Sequence, residues 1–224
     1  MNDYPLLKPI QFLDRTLTKF EVINPENLPK TGGALITTNH LSRLDTPLLL
    51  AITDRTDLVG IIAKSYLKKP IIKWILGKAG KMVWMDRSTT DFTAIRDALT
   101  LLRDGAIVGI APEGTRSSEA RGLLQGKAGA ALMAARTDVP LVPVAILGSD
   151  KIYQGWLKLR RPSIKITIGE PYHLPEFEHV DRQAWLTACT DEIMCRIAAL
   201  LPPEYRGYYK DHPRLKELLA QDSG

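Results

Sequence analysis

Residues 34–40 read Ala-Leu-Ile-Thr-Thr-Asn-His, a short and mostly apolar run that ends in two polar residues. Such a run, bounded by loop residues, is typical of a strand that is buried on both faces of a parallel sheet. We therefore predict a strand over residues 34–38 that carries His40 at its carboxyl end. In α/β proteins this end of the strands is where ligands bind.

Short apolar runs and helical patterns alternate along the rest of the chain. Further strands are predicted over residues 58–63, 82–85, 106–111, 141–146 and 164–168. Helices are predicted between and after them, over residues 45–52, 66–76, 92–102, 127–135 and 185–197. This alternation predicts a single α/β domain with a largely parallel central sheet flanked by helices, and 224 residues suit one domain.

The two ends of the chain differ from this main domain, which we place over residues 25–203. Residues 1–24 predict an N-terminal amphipathic helix, and residues 204–224 form a polar and aromatic tail that we expect to pack loosely. The helix depends on apolar residues spaced by three and four, namely Leu6, Ile10, Leu13, Leu17 and Phe20. This stripe either packs on the core or lies in a membrane interface.

Positive charge is concentrated in one segment. Residues 64–87 carry seven lysines and arginines against one acidic residue, which is a local net charge of +6. The rest of the chain sums to −1, and the total is +5. Three of the lysines, Lys68, Lys69 and Lys73, belong to one predicted helix. Such a segment implies an anionic partner, which is a phosphate-bearing substrate, an anionic lipid surface or a nucleic acid. Few aromatic residues lie among the lysines for base stacking, so we expect no nucleic acid.

No apolar run approaches the roughly 18 residues of a membrane-spanning helix, and no signal peptide is recognisable. We therefore expect a cytoplasmic protein that attaches peripherally to the cytosolic face of a membrane. The two cysteines, Cys189 and Cys195, lie six positions apart in one helical pattern and cannot pair within that helix. Without metal-binding motifs in the sequence, we expect no disulfide, no metal and no bound cofactor.

His40 and Asp45 are the candidate acid–base pair. A histidine can take and return a proton near neutral pH, and a carboxylate beside it fixes its tautomer. Five positions along a continuous helix would turn the two side chains about 140° apart. The pair therefore forms only if residues 41–44 make a turn. The alternatives are a structural histidine, an Asp45 that caps the next helix, and a Ser42 that shapes the turn.

Residues 112–117 read Pro-Glu-Gly-Thr-Arg-Ser and follow the predicted strand over 106–111. Gly114 permits a tight turn, and Arg116 offers a planar guanidinium that can bind a phosphate through two hydrogen bonds. Glu113 could hold a substrate hydroxyl or orient an arginine. The alternative for this segment is a solvated surface turn with an ion pair.

Four sequence blocks in this order resemble the glycerolipid acyltransferase family, whose members act on glycerol-3-phosphate and on lysophospholipids. They cover residues 39–145, about half of the chain. The blocks are Asn39-His40-x-Ser42-x-x-Asp45; a middle block with Ala63-Lys64, Pro70, Gly80 and Asp86-Arg87; the segment 112–117; and the segment 139–145. One departure is Ala111, where the family usually has an aromatic residue, and this affects packing more than chemistry.

The resemblance implies an O-acyltransferase that carries an acyl chain from an acyl thioester, either acyl-CoA or acyl-carrier-protein, to a lysophospholipid. The acceptor it fits best is 1-acyl-glycerol-3-phosphate, which would give phosphatidic acid. His40 would be the general base and Asp45 its partner. The acceptor site would contain Glu113, Gly114, Thr115, Arg116, Lys64 and Arg87. An anionic membrane surface would be bound by Lys68, Lys69 and Lys73.

Two alternatives stay open at this point. The first is an acyltransferase for another lyso-lipid or for an amino-lipid. The second is a non-catalytic protein that binds a membrane or a nucleic acid through its basic segment, in which case His40 and Asp45 would be dispensable. The sequence also leaves open the oxyanion donors, which could be backbone N–H groups near Gly114 or at the helix start after Asp45.

Overall fold

The computed structural model describes residues 4–86, 89, 91–117, 122–175 and 181–221. Within them the strands are β1 (Lys19–Ile23), β2 (Ala34–Thr38), β3 (Leu58–Ala63), β4 (Lys81–Met85), β5 (Ile107–Ile110), β6 (Leu141–Leu147) and β7 (Ser163–Ile168). The α-helices are α1 (Leu7–Leu17), α2 (Asp45–Leu50), α3 (Pro70–Ala79), α4 (Phe92–Arg103), α5 (Gly129–Ala134), α6 (Ile152–Leu157), α7 (Arg182–Ala199) and α8 (Pro213–Gln221). In this part of the chain no helix is both long enough and apolar enough to cross a bilayer.

The strands form one sheet in the order β1-β7-β6-β2-β5-β3-β4. All neighbours are parallel except β6 and β7, so the predicted α/β fold with a largely parallel sheet is confirmed. Strands β2 to β6 end at the same edge, which we call the carboxyl edge. Because β7 runs against β6, and β1 runs with β7, the amino ends of β1 and β7 also lie at the carboxyl edge.

Helices cover both faces of the sheet. Residues of α1, α2, α3 and α6 contribute to the buried core on one face, and residues of α4, α5, α7 and α8 to the core on the other. Strand β2 is buried along its whole length, with Leu35 in one core and Ile36 in the other. Burial on both faces explains why its sequence reads as a continuous apolar run rather than an alternating one.

The predicted N-terminal helix is present but ends earlier than its apolar spacing suggests. Its last residue is Leu17, and Phe20 lies in β1, where it pairs with Ile164 of β7. The sequence of β1 alternates Phe20 and Val22 with charged residues, a strand pattern that the three- and four-residue spacing obscured. Leu6 and Ile10 pack against the core, as the first alternative predicts, whereas Leu13 and Leu17 are exposed, so the membrane-interface alternative stays a prediction.

The basic segment folds as two short elements instead of the single helix predicted over residues 66–76. A 3-10 helix spans Lys64–Lys68, and α3 starts at Pro70. The break falls at Lys69 because a residue before proline is disfavoured in the α conformation, and Lys69 has φ −113° and ψ 89°. Lys69 and Lys73 still lie one helical turn apart, since the Lys73 N–H donates to the Lys69 carbonyl.

The expectation of a loosely packed tail after residue 204 is wrong. Tyr209 is fully buried, and α8 packs on α7 through Leu215 and Leu218. The backbone of Leu123 donates to Tyr205 O at 3.0 Å and accepts from Tyr208 N at 2.8 Å. The close approach needs Gly207, which has φ +48° and on which a Cβ would lie 2.3 Å from the Leu123 carbonyl oxygen.

Tyr209 should carry a large share of this packing. Its hydroxyl accepts from Gly126 N at 3.0 Å and contacts Asp191 Oδ1 at 3.3 Å. Replacing Tyr209 with alanine should lower the free energy of unfolding by about 3–5 kcal/mol, because it leaves a large cavity. Tyr208→Ala is a matched control that removes a half-exposed ring next to Tyr209 and should cost less than about 1.5 kcal/mol. Urea unfolding followed by circular dichroism measures both, and equal losses would contradict the assigned packing.

Candidate active site

Asn39 fixes the point where β2 ends. Its side chain is buried, and its amide forms two hydrogen bonds with the backbone of Ile146 in β6. The Asn39 Nδ2 donates to Ile146 O at 2.8 Å, and Ile146 N donates to Asn39 Oδ1 at 2.7 Å. An amide side chain has the one donor and one acceptor that this pairing requires. The residue that follows, His40, is thereby held at the carboxyl edge.

The structure brings His40 and Asp45 together. His40 Nδ1 lies 2.8 Å from Asp45 Oδ2, and only 15% of the His40 side chain and 3% of the Asp45 side chain are exposed. An ionised carboxylate can only accept, so Nδ1 carries the proton of the neutral ring and the Nε2 lone pair is available. This is the arrangement of a general base with its orienting carboxylate.

The turn that the spacing requires is present over residues 41–44. The Asp45 carboxylate reaches back and accepts from Ser42 N at 2.8 Å, while Ser42 Oγ accepts from Leu44 N at 3.2 Å. Ser42 therefore shapes the turn, as the sequence analysis gave as an alternative. Asp45 caps no helix, because its side chain bonds inside the turn and α2 begins without a side-chain cap.

Glu113 holds the backbone of His40 in place. Its side chain is buried, with Oε1 accepting from His40 N at 2.9 Å and Oε2 accepting from Leu124 N at 2.8 Å. Burial raises the pKa of this carboxyl above its usual range, and the two backbone hydrogen bonds counteract part of the rise. With both oxygens engaged by backbone groups, Glu113 fits a positioning role better than the expected contact to a substrate hydroxyl.

Ser117 binds the next peptide group, which follows the His40 Cα. Its backbone N–H donates to His40 O at 2.8 Å, and its hydroxyl lies 3.3 Å from that oxygen. The segment 112–117 thus forms hydrogen bonds with both the N–H and the C=O of His40, through Glu113 and Ser117. Its turn is made by Gly114, which has φ +69° and leaves room for the side chain of Lys127. Sequence reasoning quoted Ser117 within the motif but gave it no role.

A cavity of about 660 Å³ opens beside this segment and is lined by three of the six predicted acceptor-site residues. Thr115 and Arg116 line it together with Lys64, Lys68 and Lys69. Arg43 is a further lining residue that the sequence analysis missed. The sequence did contain a clue to Arg43, because a turn that folds Asp45 back must direct one of residues 41–44 outward. Leu41 and Ser42 are buried and Arg43 is exposed.

Lys64 lines the cavity but is already paired. Its ammonium donates to Asp91 Oδ2 at 2.6 Å, and this hydrogen bond lowers the pKa of the Asp91 carboxyl and raises the pKa of Lys64. Asp91 also caps α4 by accepting from Ala94 N at 3.1 Å. An anion in the cavity would have to compete with Asp91 for this lysine. Arg87, the other expected flanking cation, lies outside the described residues.

Although no histidine lies next to it in the sequence, Cys195 approaches one in the structure. Cys195 Sγ lies 3.4 Å from His212 Nδ1, where α7 meets the segment before α8. Cys195 is fully buried, and burial raises the pKa of its thiol to about 12. A buried neutral thiol is a poor nucleophile, so this contact is structural. Among the residues described here, no group of three His, Cys, Asp or Glu side chains is arranged to hold a metal ion.

Comparison with known proteins identifies the family of this chain. The sequence profile of the family described as Acyltransferase matches residues 19–147, which is more than half of the chain. A 1-acyl-sn-glycerol-3-phosphate acyltransferase of Bacillus subtilis (strain 168) is 33% identical over 183 residues, covering 80% of this chain and 87% of that protein. The chloroplastic 1-acyl-sn-glycerol-3-phosphate acyltransferase LPAT1 of Arabidopsis thaliana is 32% identical over 69% of this chain and 44% of its own length.

A solved structure shares the fold. The crystal structure of the 1-acyl-sn-glycerophosphate acyltransferase PlsC from Thermotoga maritima superimposes with a TM-score of 0.59 at 25% sequence identity. The match covers 84% of this chain and 76% of that one. The extent of the family match, together with the B. subtilis relative, confirms the resemblance seen in the sequence. This chain belongs to the acyltransferase family and is an O-acyltransferase.

Proposed function

We propose that this enzyme moves an acyl chain from an acyl thioester to the free hydroxyl of 1-acyl-sn-glycerol-3-phosphate, which gives phosphatidic acid. The observation that carries the proposal is the His40–Asp45 pair, whose turn also places Arg43 in a cation-lined cavity. Such a site offers a base for a hydroxyl and guanidinium groups for a phosphate. The names of the relatives from B. subtilis, A. thaliana and T. maritima support the same acceptor.

In this mechanism His40 acts as the general base. Its Nε2 takes the proton of the acceptor hydroxyl as the acceptor oxygen attacks the thioester carbonyl carbon. A carbon–oxygen bond forms, the carbon–sulfur bond breaks, and the leaving thiolate takes the proton from the imidazolium. Asp45 stabilises the imidazolium between these steps. Because the donor is already activated as a thioester, no covalent acyl-enzyme is required.

The acceptor phosphate is proposed to bind in the cavity. Arg116 and Arg43 line it, and each guanidinium can bind a phosphate through two parallel hydrogen bonds. Lys64 would contribute only by leaving or sharing Asp91, so it ranks below the two arginines. Arg87 stays in the proposal on the sequence resemblance alone.

The donor and the acceptor are tested together by one acylation assay. Purified enzyme is offered a panel of lyso-lipids and one amino-lipid, each with acyl-CoA and with acyl-carrier-protein. We expect kcat/KM to be highest for 1-acyl-sn-glycerol-3-phosphate with at least one donor. A higher kcat/KM for a lyso-lipid without a terminal phosphate, or for the amino-lipid, would contradict the proposed acceptor.

We also propose that the enzyme attaches reversibly to the cytosolic face of an anionic membrane, since the acceptor is a bilayer lipid. The exposed lysines Lys68, Lys69 and Lys73 lie beside Ile71 and Trp74, which are also exposed. Each lysine near an anionic surface contributes on the order of 1 kcal/mol, and salt screens this attraction.

His40→Ala should lower kcat by at least about 10²-fold, the usual scale for loss of acid–base catalysis. The variant should keep its fold, because the His40 backbone bonds to Glu113 and Ser117 do not involve the imidazole. Circular dichroism checks the fold, and the acylation assay checks the rate. Turnover near that of the wild type would refute the general-base role.

Arg116→Lys should be nearly as damaging as Arg116→Ala, because lysine cannot form the planar two-bond contact. The loss in kcat/KM should appear with a phosphate-bearing acceptor and shrink with an acceptor that lacks the phosphate. Arg103→Lys makes the same exchange in α4 at the opposite edge of the sheet and should have no effect. An equal loss on both acceptors would indicate a structural role for Arg116.

The triple variant Lys68→Ala/Lys69→Ala/Lys73→Ala should bind anionic vesicles about 100-fold more weakly at low salt. It should keep kcat on a short soluble acceptor, although KM should rise because Lys68 and Lys69 also line the cavity. The matched control removes Lys30, Arg103 and Arg136, which are exposed near the amino ends of β2, β5 and β6 at the opposite edge. Co-sedimentation with vesicles at low and high salt measures binding. If both triple variants bound equally, these lysines would have no special docking role.

A further inference from the structure

The segment after β6 exposes apolar side chains that belong to neither hydrophobic core. We call Tyr153, Trp156, Leu157, Lys158, Leu159 and Arg160 the α6 surface. The Leu157 side chain is 86% exposed and the Leu159 side chain 97% exposed. Tyr153 is half exposed and packs edge to face on the partly exposed Trp156, with ring centroids 6.0 Å apart. Only Ile152 of α6 is buried, so the helix is anchored by one residue and presents the rest to solvent.

Leu159 sits in a conformation that suits glycine better. Its φ is +52°, in the left-handed region where a side chain is strained. A leucine side chain that is strained and almost fully exposed does not contribute to the stability of the fold. Strained positions of this kind persist where they serve a function. At 97% exposure Leu159 makes little contact with the rest of the described chain, so its side chain is available to a partner.

The α6 surface lies at the same edge of the sheet as His40. It connects the carboxyl end of β6 with the amino end of β7, and both are at the carboxyl edge. The indole of Trp156 donates to Leu17 O at 3.2 Å, and Arg161 donates to Arg15 O at 2.8 Å and to Thr18 O at 2.6 Å. These bonds fix the α6 surface against the end of α1, where Leu13 and Leu17 are exposed.

The positive charge of this segment favours an anionic partner. Residues 151–161 contain four lysines and arginines and no acidic residue. Lys151, Lys158 and Arg160 are exposed. Apolar and aromatic side chains surrounded by cations match the boundary between the headgroups and acyl chains of an anionic bilayer. A protein partner would have to combine an apolar patch with a surrounding acidic rim, whereas an anionic bilayer offers both over any area.

We propose that the α6 surface is a second membrane-docking element. Leu157 and Leu159 insert among the acyl chains, and Lys158 and Arg160 contact lipid phosphates. The inference builds on the proposed function, because a bilayer acceptor requires the carboxyl edge to face the membrane. The lysines at α3 follow β3, on the other side of the central strand β2, and the α6 surface follows β6. Docking at both positions would hold the mouth of the site level with the lipid headgroups.

The test uses the double variant Leu157→Gln/Leu159→Gly. Both positions are exposed, and glycine suits the backbone at 159, so the variant should fold. Binding is measured by co-sedimentation with phosphatidylcholine vesicles that contain phosphatidylglycerol, at low and at high salt. At high salt the lysine attraction is screened, and the remaining binding should fall at least about tenfold in the double variant, because it loses two inserted leucines. The triple lysine variant should show the opposite pattern, with its loss confined to low salt.

Two outcomes would overturn the inference. One is binding by the double variant equal to that of the wild type at both salt concentrations. The other is a wild-type dimer in the absence of lipid that the double variant abolishes, since this would assign the α6 surface to a second copy of the chain. Turnover of a short soluble acceptor separates this inference from the proposed function. If the wild type acylates no lyso-lipid but the double variant loses vesicle binding, docking stands and the proposed reaction fails.

Discussion

Both oxygens of the buried Glu113 carboxylate are engaged by backbone N–H groups, one of His40 and one of Leu124. A carboxylate removed from water is unfavourable unless hydrogen bonds replace its hydration. Glu113 therefore draws together two segments that are distant in sequence, the end of β2 and the loop before α5. With Ser117 bonded to the His40 carbonyl, the two peptide groups that flank His40 have little freedom. The imidazole is then oriented by Asp45.

The antiparallel step between β6 and β7 brings further segments to the edge of the sheet that holds His40. In a fully parallel sheet the amino end of every strand would lie opposite the site. Reversing β7, and pairing β1 with it, brings the end of α1 and the segment 158–162 to the edge where β2 places His40. Lys68 and Lys69 reach the same edge because they directly follow β3. The reversal of β7 thus adds segments on the β6 side of His40, and the parallel strand β3 supplies the surface on the other side.

Much of this architecture could be read from the sequence, and the rest could not for identifiable reasons. Strands β2 to β6 were predicted because a buried strand in an α/β sheet needs a nearly unbroken apolar run, and β7 was predicted from its alternation of apolar and polar residues. Strand β1 was missed because Leu17 and Phe20 also fit a helical spacing. The turn that brings Asp45 to His40 was predicted because a continuous helix would have turned the two side chains apart. The engagement of Lys64 by Asp91 and of Glu113 by Leu124 joins residues distant in sequence, which spacing does not reveal.

The contact between Leu123 and residues 205–208 has a consequence for how the enzyme matures. During synthesis from the amino end, the sheet and the His40–Asp45 turn are made long before residues 205–209 exist. The loop that carries Leu124, and through it the second hydrogen bond to Glu113, lacks the backbone partners and the Tyr209 hydroxyl that hold it until then. A nascent chain can therefore fold its core before this loop is held in place. The support that Leu124 gives to Glu113 is complete only once residues 205–209 have been synthesised.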